Sequence, residues 1–260
     1  MSIRVTWWGH ATTLVQDRAR VLTDPVLTHR LAHLHRRTGL PPDPVPHDLD
    51  AVLVSHLHAD HLHLPSLRML PPGTPVLLPR GAARLLSRLP VEPVEVVAGD
   101  VVPVADARVR VVPAVHNDNR WPGGRIRGKA VGFVLEGDGS TYFAGDTSSF
   151  DGMADIHPDL DLALMPVGGW GPSLNGHHLN PRQAAECLLD LTPRVTVPIH
   201  YGTLWPRGMN RLRPHLFHDP GHRFAEHAEV LTPQVDVRVL APGSSTVVEH
   251  NRSDLSTQPD

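Results

Sequence analysis

A chain of 260 residues, 40% hydrophobic and 20% charged, is long enough for one large core or two small domains. With 24 basic against 27 acidic side chains its formal charge is −3, which gives no general attraction to nucleic acid or an acidic membrane. The single cysteine, Cys187, rules out an internal disulfide and a cysteine-rich zinc module. No leader pattern and no membrane-length apolar run is present, so a soluble, cytoplasmic protein is expected.

The first third reads as short β-branched strands, "IRVTWWG", "TTLVQD" and "RVLTDPV", joined by tight turns into a meander. "AVLVSH" is a continuous apolar run, the pattern of a strand covered on both faces. "LPSLRML" suggests a short helix, "PVLLP" a strand and "GAARLLSRL" a helix. Strands resume with "VEVVA", "ARVRVVPAVH" and "AVGFVLEGDGSTYFAGD", the last a hairpin turning at "GDGS". "DLALMPV" and "VTVPIH" are buried-type strands flanking the helix "NPRQAAECLLDL", with Asn180 as N-cap and Pro181 in the first turn. The helix "DPGHRFAEHAEVL" then precedes two closing strands, "VDVRVLAP" and "STVVEH". Two mixed sheets packed face to face with helices outside fit this order. A dinucleotide-binding sheet fits less well, because no Gly-rich turn follows the first strand. One domain over residues 1–249 and a frayed tail over 250–260 are expected.

With 19 histidines in the chain, a histidine cluster alone decides nothing. "SHLHADHL" becomes informative through its spacing. His56 and His58, two apart on extended chain, point the same way and can share one metal. Asp60 and His61 are adjacent and diverge, which suits a second metal. Three more donors close apolar runs: His116, Asp146 and His200. Five imidazoles and two carboxylates are the inventory of a dinuclear site in which one carboxylate bridges.

"HLHADH" with its downstream His, "GD" and His resembles the metallo-β-lactamase superfamily. "WWGHATTLV", "VLTDPVL", "PAVH", "FAGDT", "HLNPRQAAE" and "PIHYGT" are similar to the branch containing L-ascorbate-6-phosphate lactonase and N-acylphosphatidylethanolamine-hydrolysing phospholipase D. The resemblance runs from residue 3 to about residue 205. It implies an αββα sandwich with the metals at one edge. His56, His58 and His116 would hold the first metal, Asp60, His61 and His200 the second, with Asp146 bridging. It also implies two divalent ions, zinc first with manganese or iron as alternatives, that lower the pKa of a shared water for attack on an electrophile. Asp60 would orient that water. His178 is a candidate general acid or substrate contact, set against a hydrogen bond at a helix start. Asp24 and His10 come from branch motifs as candidates for orienting ligand imidazoles. Cys187 falls on an apolar helical stripe and does not match the metal-binding cysteine of the true β-lactamases.

Two segments stand out as loops that could set specificity, 29–48 and 117–130. The second starts at His116 and carries Arg120, Trp121, Arg125, Arg127 and Lys129. Arg120, Trp121 and Arg125 are candidate contacts to a phosphate or carboxylate, against the alternative of a solvated basic loop. Trp170 and Trp205 are either an apolar wall of the pocket or core. The expected function is a metal-dependent hydrolase of an anionic, small-molecule or lipid-like phosphodiester. A lactone, itself phosphorylated or not, is the alternative. A nuclease needs a nucleic-acid-binding arm that neither length nor charge supplies here, and a non-enzymatic metal-binding or redox protein of the flavin-linked di-iron kind would bring a flavin domain and an extra carboxylate where this chain has His58. Assembly into a homo-oligomer is left open.

Overall fold

The computed structural model describes residues 2–41, 45, 47–121, 124–170, 178–209 and 213–250. The opening meander is β1 (Ser2–Gly9), β2 (Thr12–Gln16) and β3 (Arg20–Thr23), with β17 (Ser245–Glu249) antiparallel along β1. Beyond β3 the sheet turns parallel through β6 (Ala51–Leu53), β7 (Pro75–Pro79) and β8 (Glu92–Val96). Its seven strands run β17-β1-β2-β3-β6-β7-β8.

The second sheet repeats this plan. β9 (Val101–Val104), β10 (Ala107–Pro113), β11 (Val131–Glu136) and β12 (Ser140–Phe143) pair antiparallel in sequence. β13 (Leu162–Pro166), β14 (Val195–Ile199) and β16 (Asp236–Val237) continue it in parallel. Both sheets therefore consist of three antiparallel pairings followed by three parallel ones.

Strand alternation builds the layers. Val5, Trp7, Val15, Val21, Leu53 and Leu77 of the first sheet share one buried cluster with Val109, Val111, Phe133 and Leu164 of the second. The alternate residues Leu14, Leu22, Val52, Val76 and Leu78 face outward onto Leu62, Leu67 and Leu86, next to helix α1 (Leu64–Leu67). α2 (Pro181–Leu191) and α4 (Pro220–Leu231) cover the second sheet, burying Ala184, Leu188, Phe224 and Ala228. α2 starts as expected: Asn180 accepts from the Gln183 amide, and the Gln183 side chain returns to the Asn180 amide. No helix among the described residues is long and apolar enough to cross a membrane.

Four expectations need correction. The helix over 81–89 shrinks to one 3-10 turn, Ala83–Leu85. Only Ala82 and Leu86 of its stripe are buried, and Glu95 Oε1 takes the amides of Gly81 and Ala83 that a helix would leave free. The strand expected at 94–98 runs from Glu92 to Val96. The closing strand "VDVRVLAP" pairs only at Asp236–Val237. The segment 29–48 is more than a loop, because β4 (Arg30–Leu31) and β5 (Leu34–Arg36) form a three-stranded flap with β15 (Leu204–Pro206). Of the expected tail, only His250 is described, with Nδ1 3.1 Å from Asp161 Oδ2.

Candidate metal centre

All seven expected donors converge where the two sheets end. His56, His58, Asp60 and His61 follow β6 on one loop; His116, Asp146 and His200 follow β10, β12 and β14, one to three residues past each strand. His56 Nε2 lies 2.9 Å from His58 Nδ1, and His116 Nε2 lies 3.2 Å from the same atom. His61 Nε2 and His200 Nε2 are 3.0 Å apart. Asp146 sits between the groups: Oδ2 is 3.2 Å from His61 Nε2 and 3.8 Å from His56 and His116 Nε2, and Oδ1 is 3.2 Å from His200 Nε2. Asp60 Oδ2 is 3.6 Å from His61 Nε2 and 3.8 Å from His200 Nε2.

The proton positions show why these nitrogens need a cation. Asp24 Oδ2 accepts from His61 Nδ1 at 2.6 Å and from the Ser55 hydroxyl at 2.5 Å. With its hydrogen spent on Asp24, Ser55 Oγ accepts from His56 Nδ1 at 3.0 Å. His200 Nδ1 donates to the Gly168 carbonyl at 3.1 Å. In neutral rings, Nε2 of His56, His61 and His200 therefore carries a lone pair. Two such lone pairs 3 Å apart repel unless a proton or metal lies between them. Tetrahedral bonds of 2.0–2.1 Å give a nitrogen–nitrogen edge of about 3.3 Å, close to the separations here. Both Asp146 oxygens are buried without a hydrogen-bond partner among the described residues. The donor set fits divalent metal ions.

The charges agree. Burial alone would lower the pKa of His61, but Asp146, Asp60 and Asp24 reverse this and raise it well above its ordinary value, so these carboxylates demand a positive charge at its ring. Burial disfavours ionised Asp146, yet the imidazoles of His200, His61 and His178 hold it well below the carboxylate range. Burial also keeps His56 neutral. His178 lies 3.2 Å from Asp146 Oδ2 through Nδ1, and Asp146 raises its pKa against the effect of burial.

Around the donors the backbone is strained. His10, Asp24 and His200 all have positive φ, at 52°, 29° and 64°. Each costs roughly 1 kcal/mol for a side chain other than glycine. The His10 carbonyl accepts from the His200 amide at 2.8 Å and from Trp7 Nε1 at 2.8 Å, while the Thr203 hydroxyl accepts from the His10 amide at 2.7 Å. His10 Nε2 bonds Asp60 Oδ2 at 3.0 Å, and burial lowers its pKa to about 3. Gly145, at φ +60°, precedes Asp146, and a Cβ there would overlap the Cβ of Ser55.

The expected substrate contacts divide. Arg120 is only 7% exposed, and Nη1 donates to the carbonyls of Leu57 and Leu62 at 2.6 and 2.7 Å, one at each end of the ligand loop. Its guanidinium is spent on holding that loop. Trp121 and Arg125 are exposed. Trp205 is core, and Trp170 packs on the flap beside Ala59 of the ligand loop. Cys187 is buried on α2. Ser55, the Gly168 carbonyl and Arg36 escaped the sequence reading. Only Ser55, the residue before the first ligand, stood inside the quoted motif. Arg36 is a second buried guanidinium spent on carbonyls, those of Trp8 at 3.0 Å and Val26.

Comparison with known proteins gives the family and the fold. The model of the beta-lactamase superfamily domain matches residues 19–201. An uncharacterized protein of Mycobacterium tuberculosis is 32% identical over 259 residues, covering 93% of this chain and 68% of its own. A protein of Opitutus terrae, described as a UPF0173 metal-dependent hydrolase, is 31% identical and covers 95% of this chain and all of its own. Among solved structures, Igni18, a metallo hydrolase of Ignicoccus hospitalis, superposes with a TM-score of 0.71 at 21% identity, covering 96% of this chain and all of its own. A family match over most of the chain, with a sandwich of the same fold, shows that the chain belongs to the beta-lactamase superfamily in its metallo-β-lactamase form.

Proposed function

We propose that this chain is a metal-dependent hydrolase, built as one domain over residues 1–249, that uses water to cleave an anionic phosphodiester-type substrate. The observation that carries this reading is the convergence of Nε2 lone pairs from His56, His61 and His200 on Asp146. The description of the Opitutus terrae relative as a metal-dependent hydrolase supports the reaction class. The similarity of "GHAT", "LTDP" and "PIHYGT" to a branch that holds both a lactonase and a phospholipase supports an ester-type substrate, and the cationic loop after His116 favours an anionic one.

His56, His58 and His116 would hold one ion, Asp60, His61 and His200 the other, and Asp146 would lie between them. Zinc suits a donor set this rich in imidazole. Two such ions would lower the pKa of a water between them and stabilise negative charge gathering on the substrate. Asp60, anchored through Oδ2 by His10, keeps its second oxygen to orient the attacking water. His178 has Nδ1 directed at Asp146, which leaves Nε2 to protonate the departing oxygen. Arg125 and Trp121, exposed on the loop after His116, are placed to meet the anionic substrate.

Hydrolysis of a chromogenic phosphodiester by zinc- or manganese-loaded protein tests the reading, with bound metal counted alongside. Turnover with two ions per chain, lost in Asp60→Ala, is expected. Two bound ions with turnover only on lactones would change the substrate and keep the class. A chain that binds no metal would sink it.

A further inference from the structure

Beside the metal centre, a concavity of about 290 Å³ opens where the chain leaving β13 meets the starts of α2 and α4 and the short helix α3 (His215–His218). Arg182, His215, Arg223 and His227 line it, and among the described residues no aspartate or glutamate does. Arg182 is held from outside by Glu186, one turn on, at 2.9 Å. Arg223 is exposed and makes no ion pair among the described residues. The Asn180 side chain, also at the wall, is taken up by the cap of α2. Two guanidinium groups, one of them paired with Glu186, and two imidazoles thus face one hollow. Guanidinium forks with imidazole donors match the oxygens of a phosphate.

The hollow shares its walls with the metal centre. Gly168, which lines it, supplies the carbonyl that fixes the His200 ring. His178, in contact with Asp146, lies two residues before Asn180. Resting on the hydrolase reading above, the geometry points to an anion subsite here. It holds a phosphate group carried by the substrate away from the bond that is cleaved. This phosphate is distinct from any phosphodiester at the metals, so the site selects substrates with a second charged end.

The test uses zinc-loaded full chain. Inorganic phosphate should shift the ring resonances of His215 and His227 saturably. Arg223→Gln should weaken that titration about tenfold, the equivalent of one charge-assisted hydrogen bond, with Arg223→Lys recovering part of it. Preference for a chromogenic ester bearing a terminal phosphate over its unphosphorylated counterpart should fall by a similar factor, through KM and not kcat. Imidazole resonances that ignore phosphate, or a titration that Arg223→Gln leaves unchanged, would overturn the subsite. A normal titration in a protein that hydrolyses neither ester would uphold the subsite and count against the hydrolase reading.

Discussion

The two seven-stranded sheets share a pairing plan but deploy their donors in opposite ways. The first places four on one loop after β6, whereas the second places one after each of β10, β12 and β14. A loop can be aimed as a unit by a few braces. Asp24 fixes His61 directly and His56 through Ser55, and Arg120 clips both ends of the loop. In the second sheet each donor depends on its own strand end, and Asp146 gains its importance from standing between the two groups.

The severest break of this contrast is Asp146→Ala. It should lower bound metal from two ions per chain toward none and take turnover to background, measured by elemental analysis and ester hydrolysis. If Asp146→Ala still binds two ions tightly, the carboxylate does not bridge. Asp24→Ala comes next. Both ions should weaken together, by about 10- to 100-fold in a chelator competition, because one carboxylate orients a ring in each group. Weakening of a single ion would mean that the path through Ser55 carries nothing. Arg120→Met leaves two buried carbonyls without donors and should cost about 3 kcal/mol in urea denaturation, with Arg120→Lys recovering a part. An unchanged midpoint would return Arg120 to the substrate.

The smaller effects lie in the second sheet, away from the donors. Asn180→Ala removes the cap of α2 and should cost about 1 kcal/mol, read from the same denaturation curves. Asp161 is buried, which disfavours its charge, but the Ser140 amide, Arg194 and His250 bond it and lower its pKa overall. A depressed carboxylate stabilises the fold above its unfolded pKa of about 3.9, and this contribution is lost as pH falls through the lower folded value. Wild type should thus exceed Asp161→Asn at pH 7 by less than about 1 kcal/mol. The gap should begin to close below about pH 4 and vanish only once pH passes the lower folded value. A gap that persists in acid would show that packing, not charge, is responsible.

The same contrast explains what could be read from the chain. The "HLHADH" cluster is local, so its spacing marks candidate metal donors, and the apolar runs ending near His116, Asp146 and His200 supply the distant partners that make the set informative. The N-cap of α2, Asn180, was legible for the same reason, whereas the return bond from Gln183 came only with the structure. The partners that lock the rings were not. Gly168 acts through a backbone carbonyl, which has no letter in the sequence. Arg120 looked like an exposed cation on a basic loop, and only the fold shows that the loop turns it inward onto Leu57 and Leu62. The flap escaped because two- and three-residue strands have no period. The false helix at 81–89 arose because Glu95, twelve residues on, supplies the bonds that a helix would otherwise have made.

The contact of Gly145 with Ser55 has a consequence for how far such a site can drift. Here the chain after β12 touches the chain after β6 backbone to side chain with no room for another carbon, so this point acts as a local stop between the two segments. Asp146 hangs on one side of the stop and His56 on the other. How closely Asp146 can approach the loop that carries His56 is then limited at this point by chain thickness. An alanine at 145 would act as a shim, pushing every donor of one sheet away from every donor of the other.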